Sequence, residues 1–195
     1  MPFEAMSTAA DEDLLADYAA GDASAARVLT QRLAPRVFAH AMRMLGGDRA
    51  EAEDVSQEAL LRLWRAAPGW RMGEAKVSTW LYRVTANLCI DRIRRRRGGT
   101  DIDSVPEPVD ETPSAAAGLQ QQARAEALQG ALDALPDRQR QAVILRHIEG
   151  LPNPEIAEIM DIGPRAVESL VARGKRALEA ALIGRRAELG YEDDD

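Results

Sequence analysis

Arginine and lysine side chains concentrate at two places in the sequence, and neither place offers the residues of an enzyme active site. Arg92 and the run of arginines at 94–97 close one helical segment, and a second basic segment spans residues 165–176. Cationic side chains at this density suit the phosphate backbone of a nucleic acid. The single cysteine, Cys89, and only two histidines are too few for a disulfide or a zinc-type ligand cluster. With no nucleophile–base pair or glycine-rich phosphate loop, the sequence predicts no catalytic site, no metal and no cofactor.

The composition favours an all-α protein. The 195 residues are 46% hydrophobic but only 4% aromatic, and Ala, Leu, Arg and Glu, which favour helices, are abundant. The net charge of −7 means that the basic clusters must act locally, because the chain as a whole repels phosphate. No apolar stretch has the length of a membrane helix, so we expect no membrane insertion and a cytoplasmic location.

Glycine and proline positions predict a run of helices over a first domain, residues 11–97. The expected helices cover residues 12–20, 23–45 and 48–66. Pro35 should kink or break the second of them. Asp48, with a glutamate three residues later, resembles the start of a capping box. A last, long helix is expected to take Ser78 or Thr79 as its N-cap and to end at the arginine run.

An acidic linker is expected to separate this domain from a second one. Residues 98–122 contain five acidic residues and three prolines but no lysine or arginine. Such a segment cannot bury a core, which predicts a flexible linker. Residues 123–189 return to a helical pattern with breaks near Pro136, Gly150 and Pro164. The sequence therefore predicts two small helical domains, with residues 192–195 as an acidic tail.

The C-terminal domain carries the pattern of a helix-turn-helix. Its apolar positions fit the spacing of such a pair: Ile156, Ala157, Met160, Ile162, Val167 and Leu170. Asn153 is expected to cap the first helix, and residues 161–163 to supply the turn, where Asp161 and Gly163 are both able to adopt positive φ. The second helix, about 164–181, would present the DNA-contacting side chains: Arg165, Glu168, Ser169, Arg173, Lys175 and Arg176. An ordinary helical hairpin is the alternative, and the small Ala157 at the crossing makes it less favoured.

The long helix before the linker predicts a second contact with DNA. One side carries an apolar stripe: Val77, Leu81, Val84 and Leu88. Aromatic residues around the loop at 70–76 suit the stacking of single-stranded bases, and for Trp64 a core position is preferred. The candidate DNA-binding residues are Trp70, Lys76, Trp80, Arg83, Asn87, Arg94 and Arg95. The alternative is a basic helix end that is only solvated.

The helix at 48–66 offers a candidate surface for a protein partner. Asp54, Gln57 and Glu58 lie near one another by helical spacing, beside the apolar Leu61. Such a mixed acidic and apolar face fits a basic partner helix, and a solvated acidic face is the alternative.

In this order, the segments resemble bacterial RNA polymerase sigma factors of the sigma-70 family, in the extracytoplasmic-function (ECF, group IV) class. Residues 52–58 (AEDVSQE) are similar to the polymerase-docking helix of that family. Residues 80–95 (WLYRVTANLCIDRIRR) are similar to its minus-10 recognition helix. Residues 133–140 (DALPDRQR), followed by the helix-turn-helix, are similar to its minus-35 reader. The resemblance covers about residues 11–182.

The resemblance implies a transcription initiation factor, not an enzyme, that acts in a stress or environmental response. It implies binding to core RNA polymerase through Asp54, Gln57, Glu58 and Leu61. It further implies capture of the melted, single-stranded minus-10 element, reading of the double-stranded minus-35 element, and an anti-sigma factor as a partner. The rival hypothesis is a stand-alone helix-turn-helix regulator with an N-terminal sensor or dimerisation domain. The arginine-ended helix beside an aromatic loop favours the sigma factor, because a sensor domain has no use for it.

Overall fold

The computed structural model describes residues 9–73, 75–98 and 117–183, and the secondary structure in these ranges is helical. The helices are α1 (Asp11–Ala19), α2 (Ala23–Met44), α3 (Arg49–Ala66), α4 (Val77–Gly98), α5 (Ala117–Asp133), α6 (Asp137–Val143), α7 (Asn153–Met160) and α8 (Pro164–Ile183). A 3₁₀ turn (Ala67–Gly69) follows α3, and a π-helical turn (Ile144–Ile148) follows α6. No described helix is both long enough and apolar enough to cross a membrane. The all-α prediction is confirmed.

Helices α1 to α4 form an N-terminal unit around one apolar core. Leu14 and Leu15 of α1 meet Leu29 of α2, Leu63 of α3 and Leu81 of α4, and all five side chains are at most 1% exposed. The apolar stripe expected on α4 faces this core. Helix α2 continues through Pro35, which is exposed, so the hydrogen bond that proline removes is lost on the solvent side.

The starts of α3 and α4 differ in what caps them. Asp48 caps α3 as expected, because its carboxylate accepts a hydrogen bond from the Glu51 amide at 3.0 Å. The prediction that Ser78 or Thr79 caps α4 is wrong. The helix begins at Val77, whose amide donates to Glu12 Oε1 of α1 at 3.0 Å. The cap comes from another helix, so no local pattern in the sequence could show it.

Helices α5 to α8 form a C-terminal unit, and α7 and α8 are the expected helix-turn-helix. Of the two turn residues able to adopt positive φ, Asp161 does so, with φ of 52°, and Gly163 does not. Helix α7 begins at Asn153 itself and has no side-chain cap, so the expected capping by Asn153 is also wrong. Helix α5 begins at Ala117, within the range expected to be linker. The remaining linker expectation and the acidic tail lie outside the described residues.

The two units pack against each other along a second apolar stripe of α4. Its members are spaced like those of the first stripe and are buried: Tyr82, Ala86, Cys89 and Ile93. Cys89 and Ile93 share an apolar cluster with Leu132, Leu135 and Ile144 of the C-terminal unit. At 3.6 residues per turn, the two stripes lie about 140° apart around the helix. Helix α4 is therefore buried on two sides and exposed on the remaining one.

Gly174, in the middle of α8, is required by a close helix crossing. Helix propensity alone assigns a glycine at this position a cost of about 1 kcal/mol relative to alanine. An ideal Cβ at this position would lie 2.5 Å from Val143 Cγ2 and 3.4 Å from the carbonyl oxygen of Gln139, both on α6. Val143 is fully packed and β-branched, so its methyl group has little freedom to move.

We therefore expect Gly174→Ala to lower the free energy of unfolding by about 1 kcal/mol, because overpacking costs more than the gain in helix propensity. Urea denaturation followed by circular dichroism measures the change. Gly130→Ala in α5 is the matched control, since a Cβ there meets nothing within 4 Å. That variant should be more stable by up to about 1 kcal/mol. Equal stabilisation of both variants would contradict the close crossing.

Candidate nucleic-acid and polymerase interfaces

The exposed side of α4 carries the polar residues expected to meet DNA. Arg83, Asn87, Arg94 and Arg95 are all exposed, and none makes an ion pair with another described residue. Arg83, Asn87 and Arg94 lie between the two buried stripes of the helix, which fix its rotation, whereas Arg95 lies in line with the first stripe, beside the groove between α3 and α4. The side that remains open therefore presents guanidinium groups and one amide to solvent. Such groups donate hydrogen bonds to phosphate oxygens and base edges.

Two tryptophans stand next to each other at the start of this helix. The rings of Trp70 and Trp80 meet edge to face, with centroids 5.7 Å apart and planes at 82°. Both residues are half-buried against the core of the N-terminal unit, and the ring nitrogen of Trp70 is buried with no described hydrogen-bond partner. Trp80 lies three residues before Arg83, which places a ring and a cation within one helical turn. Trp64, in contrast, packs against Tyr18 and the core of the N-terminal unit, as expected.

Lys76 is also exposed, but an acidic residue of the C-terminal unit already engages it. Its ammonium group forms an ion pair with Glu155 of α7. The hydrogen bond that the ammonium group donates to this carboxylate, together with the negative charge of the carboxylate, raises the pKa of Lys76. The lysine therefore remains charged, and in this arrangement its charge is balanced within the chain.

The arginine run at the end of α4 divides into two sets, which the sequence did not reveal. Arg92 pairs with Glu51 of α3 and lies 3.7 Å from Asp54. Arg96 donates a hydrogen bond to Asp48 at 2.5 Å, and Arg97 donates one to Asp137 of α6 at 2.7 Å. Arg94 pairs with no described residue. Internal ion pairs thus hold Arg92, Arg96 and Arg97, whereas Arg94 and Arg95 are exposed and pair with no described residue.

The four residues expected to dock on polymerase line one groove of about 400 Å³. Asp54, Gln57, Glu58 and Leu61 of α3 form one wall, and the other wall, from α4, includes Arg95. Leu61 is 47% exposed, so its apolar side chain is accessible from the groove. A hydrogen bond from Arg62 lowers the pKa of Glu58, so this carboxylate stays ionised. The groove therefore offers an apolar contact among acidic side chains and an equal number of arginines, Arg62, Arg92 and Arg95.

The second helix of the helix-turn-helix, α8, presents its expected DNA-contacting residues to solvent. All six are exposed: Arg165, Glu168, Ser169, Arg173, Lys175 and Arg176. Behind them, Val167 is buried against Ile156 and Met160 of α7, which sets the face that α8 turns outward. Arg173 donates to the Ser169 carbonyl oxygen at 3.2 Å, which holds its guanidinium along the helix.

An apolar groove and a buried cysteine are two further features of the described residues. A mostly apolar groove of about 530 Å³ in the C-terminal unit lies between α5 and α8, with Leu128, Leu132 and Leu178 among its lining residues. Cys89 is fully buried, and burial raises the pKa of its thiol to about 12, so the thiol stays protonated and packs as an apolar group. Across residues 9–73, 75–98 and 117–183, no group of three or more His, Cys, Asp or Glu is placed to hold a metal ion.

Comparisons with known proteins match both units of the chain. The family model of sigma-70 region 2 matches residues 29–98, and that of sigma-70 region 4 matches residues 125–178. The ECF RNA polymerase sigma factor SigM of Mycobacterium tuberculosis is 32% identical over 89% of this chain and 85% of its own length. SigW of Bacillus subtilis is 30% identical over 83% of this chain and 91% of its own length. SigE of Mycolicibacterium smegmatis is 35% identical, and the match spans 62% of that longer protein.

A solved structure shares the arrangement of the helices. CnrH, determined in complex with the cytosolic domain of CnrY, superimposes with a TM-score of 0.68 at 25% identity, over 90% of this chain and 99% of that one. The family matches cover the N-terminal unit as well as the helix-turn-helix, so an unrelated sensor domain is not favoured. The chain belongs to the ECF class of the sigma-70 family of RNA polymerase sigma factors.

Proposed function

We propose that the chain binds core RNA polymerase and directs it to specific promoters, with each of its two helical units contacting one promoter element. The N-terminal unit, residues 9–98, docks on the polymerase and engages the melted minus-10 element. The C-terminal unit, from α5 to α8, reads the minus-35 element as duplex DNA. In this role the chain acts in the cytoplasm. It positions the polymerase on the promoter, and the polymerase carries out catalysis.

The observation that supports this proposal best is that α4 contributes to two surfaces at once. Arg95 lines the docking groove with Gln57 and Leu61, and the neighbouring Arg94 lies on the exposed side of the same helix. A helix shared in this way ties the polymerase rigidly to the DNA strand that it opens. A stand-alone regulator has no need for a protein groove next to its DNA-binding face.

The exposed residues of α4 make different kinds of contact with DNA, according to the chemistry of their side chains. Arg94 and Arg95 contact phosphates, and Arg83 and Asn87 approach base edges. Trp70 and Trp80 offer rings on which unpaired bases can stack. In the C-terminal unit, the six polar residues of α8 named above enter the major groove. The exposure of these six side chains and of the four polar residues of α4 supports the assignment, and the two tryptophans are half-buried.

A protein inhibitor is a further proposed partner. CnrH, which is similar to this chain over most of both lengths, was solved with the cytosolic domain of another protein, CnrY. The apolar groove between α5 and α8 offers a surface on which an amphipathic helix of such an anti-sigma factor can bury its apolar side.

Reconstitution with core RNA polymerase tests the proposal. We expect the chain to co-elute with the core enzyme in size-exclusion chromatography and to enable run-off transcription from promoters of its host. Core enzyme without the chain is the control and should give no specific transcript. If the folded chain fails to associate with core enzyme, the proposed function is wrong.

A further inference from the structure

The first part of α8 is cationic except for one acid. Among residues 164–176, four basic side chains accompany a single carboxylate, that of Glu168. The described part of α8 contains one other acid, Glu179, and the ammonium group of Lys175 lies 3.6 Å from it. Glu168 is exposed and pairs with no described residue. A negative charge without a described partner therefore lies on the helix that we assign to duplex DNA.

The stability of the helix does not account for this acid. A carboxylate stabilises a helix mainly within the first turn, where it meets the positive end of the helix dipole. The first turn of α8 contains no acid, and Glu168 is the fifth residue of the helix. Arg165 lies three positions before it, as a neighbour on the helix surface, yet the two side chains form no ion pair. A contact outside the chain therefore explains Glu168 better than helix stability does.

The packing of α8 fixes the position of Glu168 around the helix. Val167 is fully buried against α7, and at 3.6 residues per turn Arg165 and Ser169 lie about 160° from it, on the outward side. Glu168 lies about 60° from Arg165 and nearly one turn further along the helix. The exposed Ala172, at the next turn, is too short to cover either side chain. Arg165 and Glu168 thus lie side by side near the start of α8, the part of a recognition helix that contacts base edges.

A carboxylate in the major groove distinguishes base pairs because it only accepts hydrogen bonds. The amino group of adenine lies between two acceptors, N7 of the same base and O4 of the paired thymine. The amino group of cytosine has an acceptor, guanine O6, on one side and a C–H group on the other. Guanine and thymine offer only acceptors to the carboxylate, and nearby phosphates repel it. Cytosine is therefore the base that fits Glu168, and its paired guanine presents O6 and N7 to a guanidinium such as that of Arg165.

From this arrangement we propose that Glu168 is a specificity-determining residue for the minus-35 element and selects one C·G base pair in a fixed orientation. Its carboxylate accepts a hydrogen bond from the cytosine amino group, and Arg165 donates to the guanine of the same pair. At sequences without this cytosine, the carboxylate finds no donor and lowers the affinity that the neighbouring cations give to any DNA. The inference rests on the proposed function, because it assumes that α8 enters the major groove.

Selection from a pool of promoters tests this inference with the complete holoenzyme. The upstream element of a host promoter that the chain transcribes is randomised, and the duplexes retained by the chain with core polymerase are sequenced. Glu168→Gln and Glu168→Ala are the test variants. Glu126→Gln, at an exposed position of α5, is the matched control, because it removes the same charge from another surface of the C-terminal unit. Circular dichroism verifies the helix content of each variant.

We expect the native chain to prefer cytosine about tenfold over the other three bases at one position of the element, which is the size of a single base-reading contact. Glu168→Gln should move this preference to adenine, because an amide both donates and accepts and fits N6 and N7 of that base. Glu168→Ala should reduce the preference to less than about threefold. The control should select the same bases as the native chain.

Failure of the inference and failure of the proposed function give different results. Should both Glu168 variants select the same bases as the native chain, or should they change the affinity for all sequences equally, the inference is overturned and the proposed function stands. Enrichment of no upstream sequence by the native chain with core polymerase rejects the proposed function instead. Should Glu168→Ala lose helix content, the shift from cytosine to adenine in Glu168→Gln decides by itself.

Discussion

Replacing Arg94 and Arg95 together with alanine is expected to lower promoter opening by the reconstituted holoenzyme about thirtyfold at moderate salt. Both guanidinium groups are exposed and make no ion pair with a described residue, so their loss removes contacts with DNA phosphates and leaves the fold intact. Permanganate footprinting of unpaired thymines measures opening. The logarithm of the opening equilibrium constant, plotted against the logarithm of salt concentration, should also lose about 1.4 in slope, since each single-strand phosphate contact contributes about 0.7.

The control for this prediction removes two arginines from other surfaces. Arg27 of α2 and Arg146 of the π-helical turn are exposed and lie outside both DNA-binding helices. Their double alanine variant has the same net charge as the test variant, and we expect promoter opening and salt dependence close to native. An unchanged level of opening in the Arg94 and Arg95 variant would reject their assignment to DNA.

Shortening two side chains of the docking groove should weaken binding to polymerase and leave the stability of the fold nearly unchanged. We expect Gln57→Ala combined with Leu61→Ala to weaken binding to core polymerase about tenfold or more, as is typical of apolar and polar anchors at the centre of an interface. The free energy of unfolding should change by less than about 0.5 kcal/mol, because Leu61 is 47% exposed and Gln57 is fully on the surface. Fluorescence anisotropy of the labelled chain with core enzyme measures the affinity.

Asp54 is a less clean test, because it lies 3.7 Å from Arg92 and its loss also disturbs the ion pairs of α4. Gln31→Ala, at an exposed position of α2, serves as the control and should bind polymerase normally. If the groove variant binds core enzyme with native affinity, the docking surface lies elsewhere on the chain.

Local patterns in the sequence were sufficient for the helices and for the helix-turn-helix. Asp48 caps α3, the stripe from Val77 to Leu88 faces the core, and Val167 is buried against α7, because each depends on neighbours within a few residues. Where a cap depended on a distant residue, the sequence prediction failed. Glu12, sixty-five positions before Val77, is the acceptor at the start of α4.

The second stripe of α4 was present in the sequence but could not be interpreted from it. Tyr82, Ala86, Cys89 and Ile93 repeat the spacing of the first stripe, and two such stripes on one helix indicate burial on two sides. The pattern does not specify which element covers the second side. The structure shows that the C-terminal unit covers it, through Leu132, Leu135 and Ile144.

The sequence by itself determined that this protein is helical, that it carries a helix-turn-helix, and that arginines cluster on two helices, because helix period, turn residues and charge are local properties. Only the tertiary structure decided which of these arginines are open. Arg92 forms an ion pair with Glu51, Arg96 with Asp48 and Arg97 with Asp137. Arg94 forms no ion pair with a described acid. An ion pair depends on which charges folding brings within about 4 Å of each other, and for these residues the partners lie forty or more positions away in the chain.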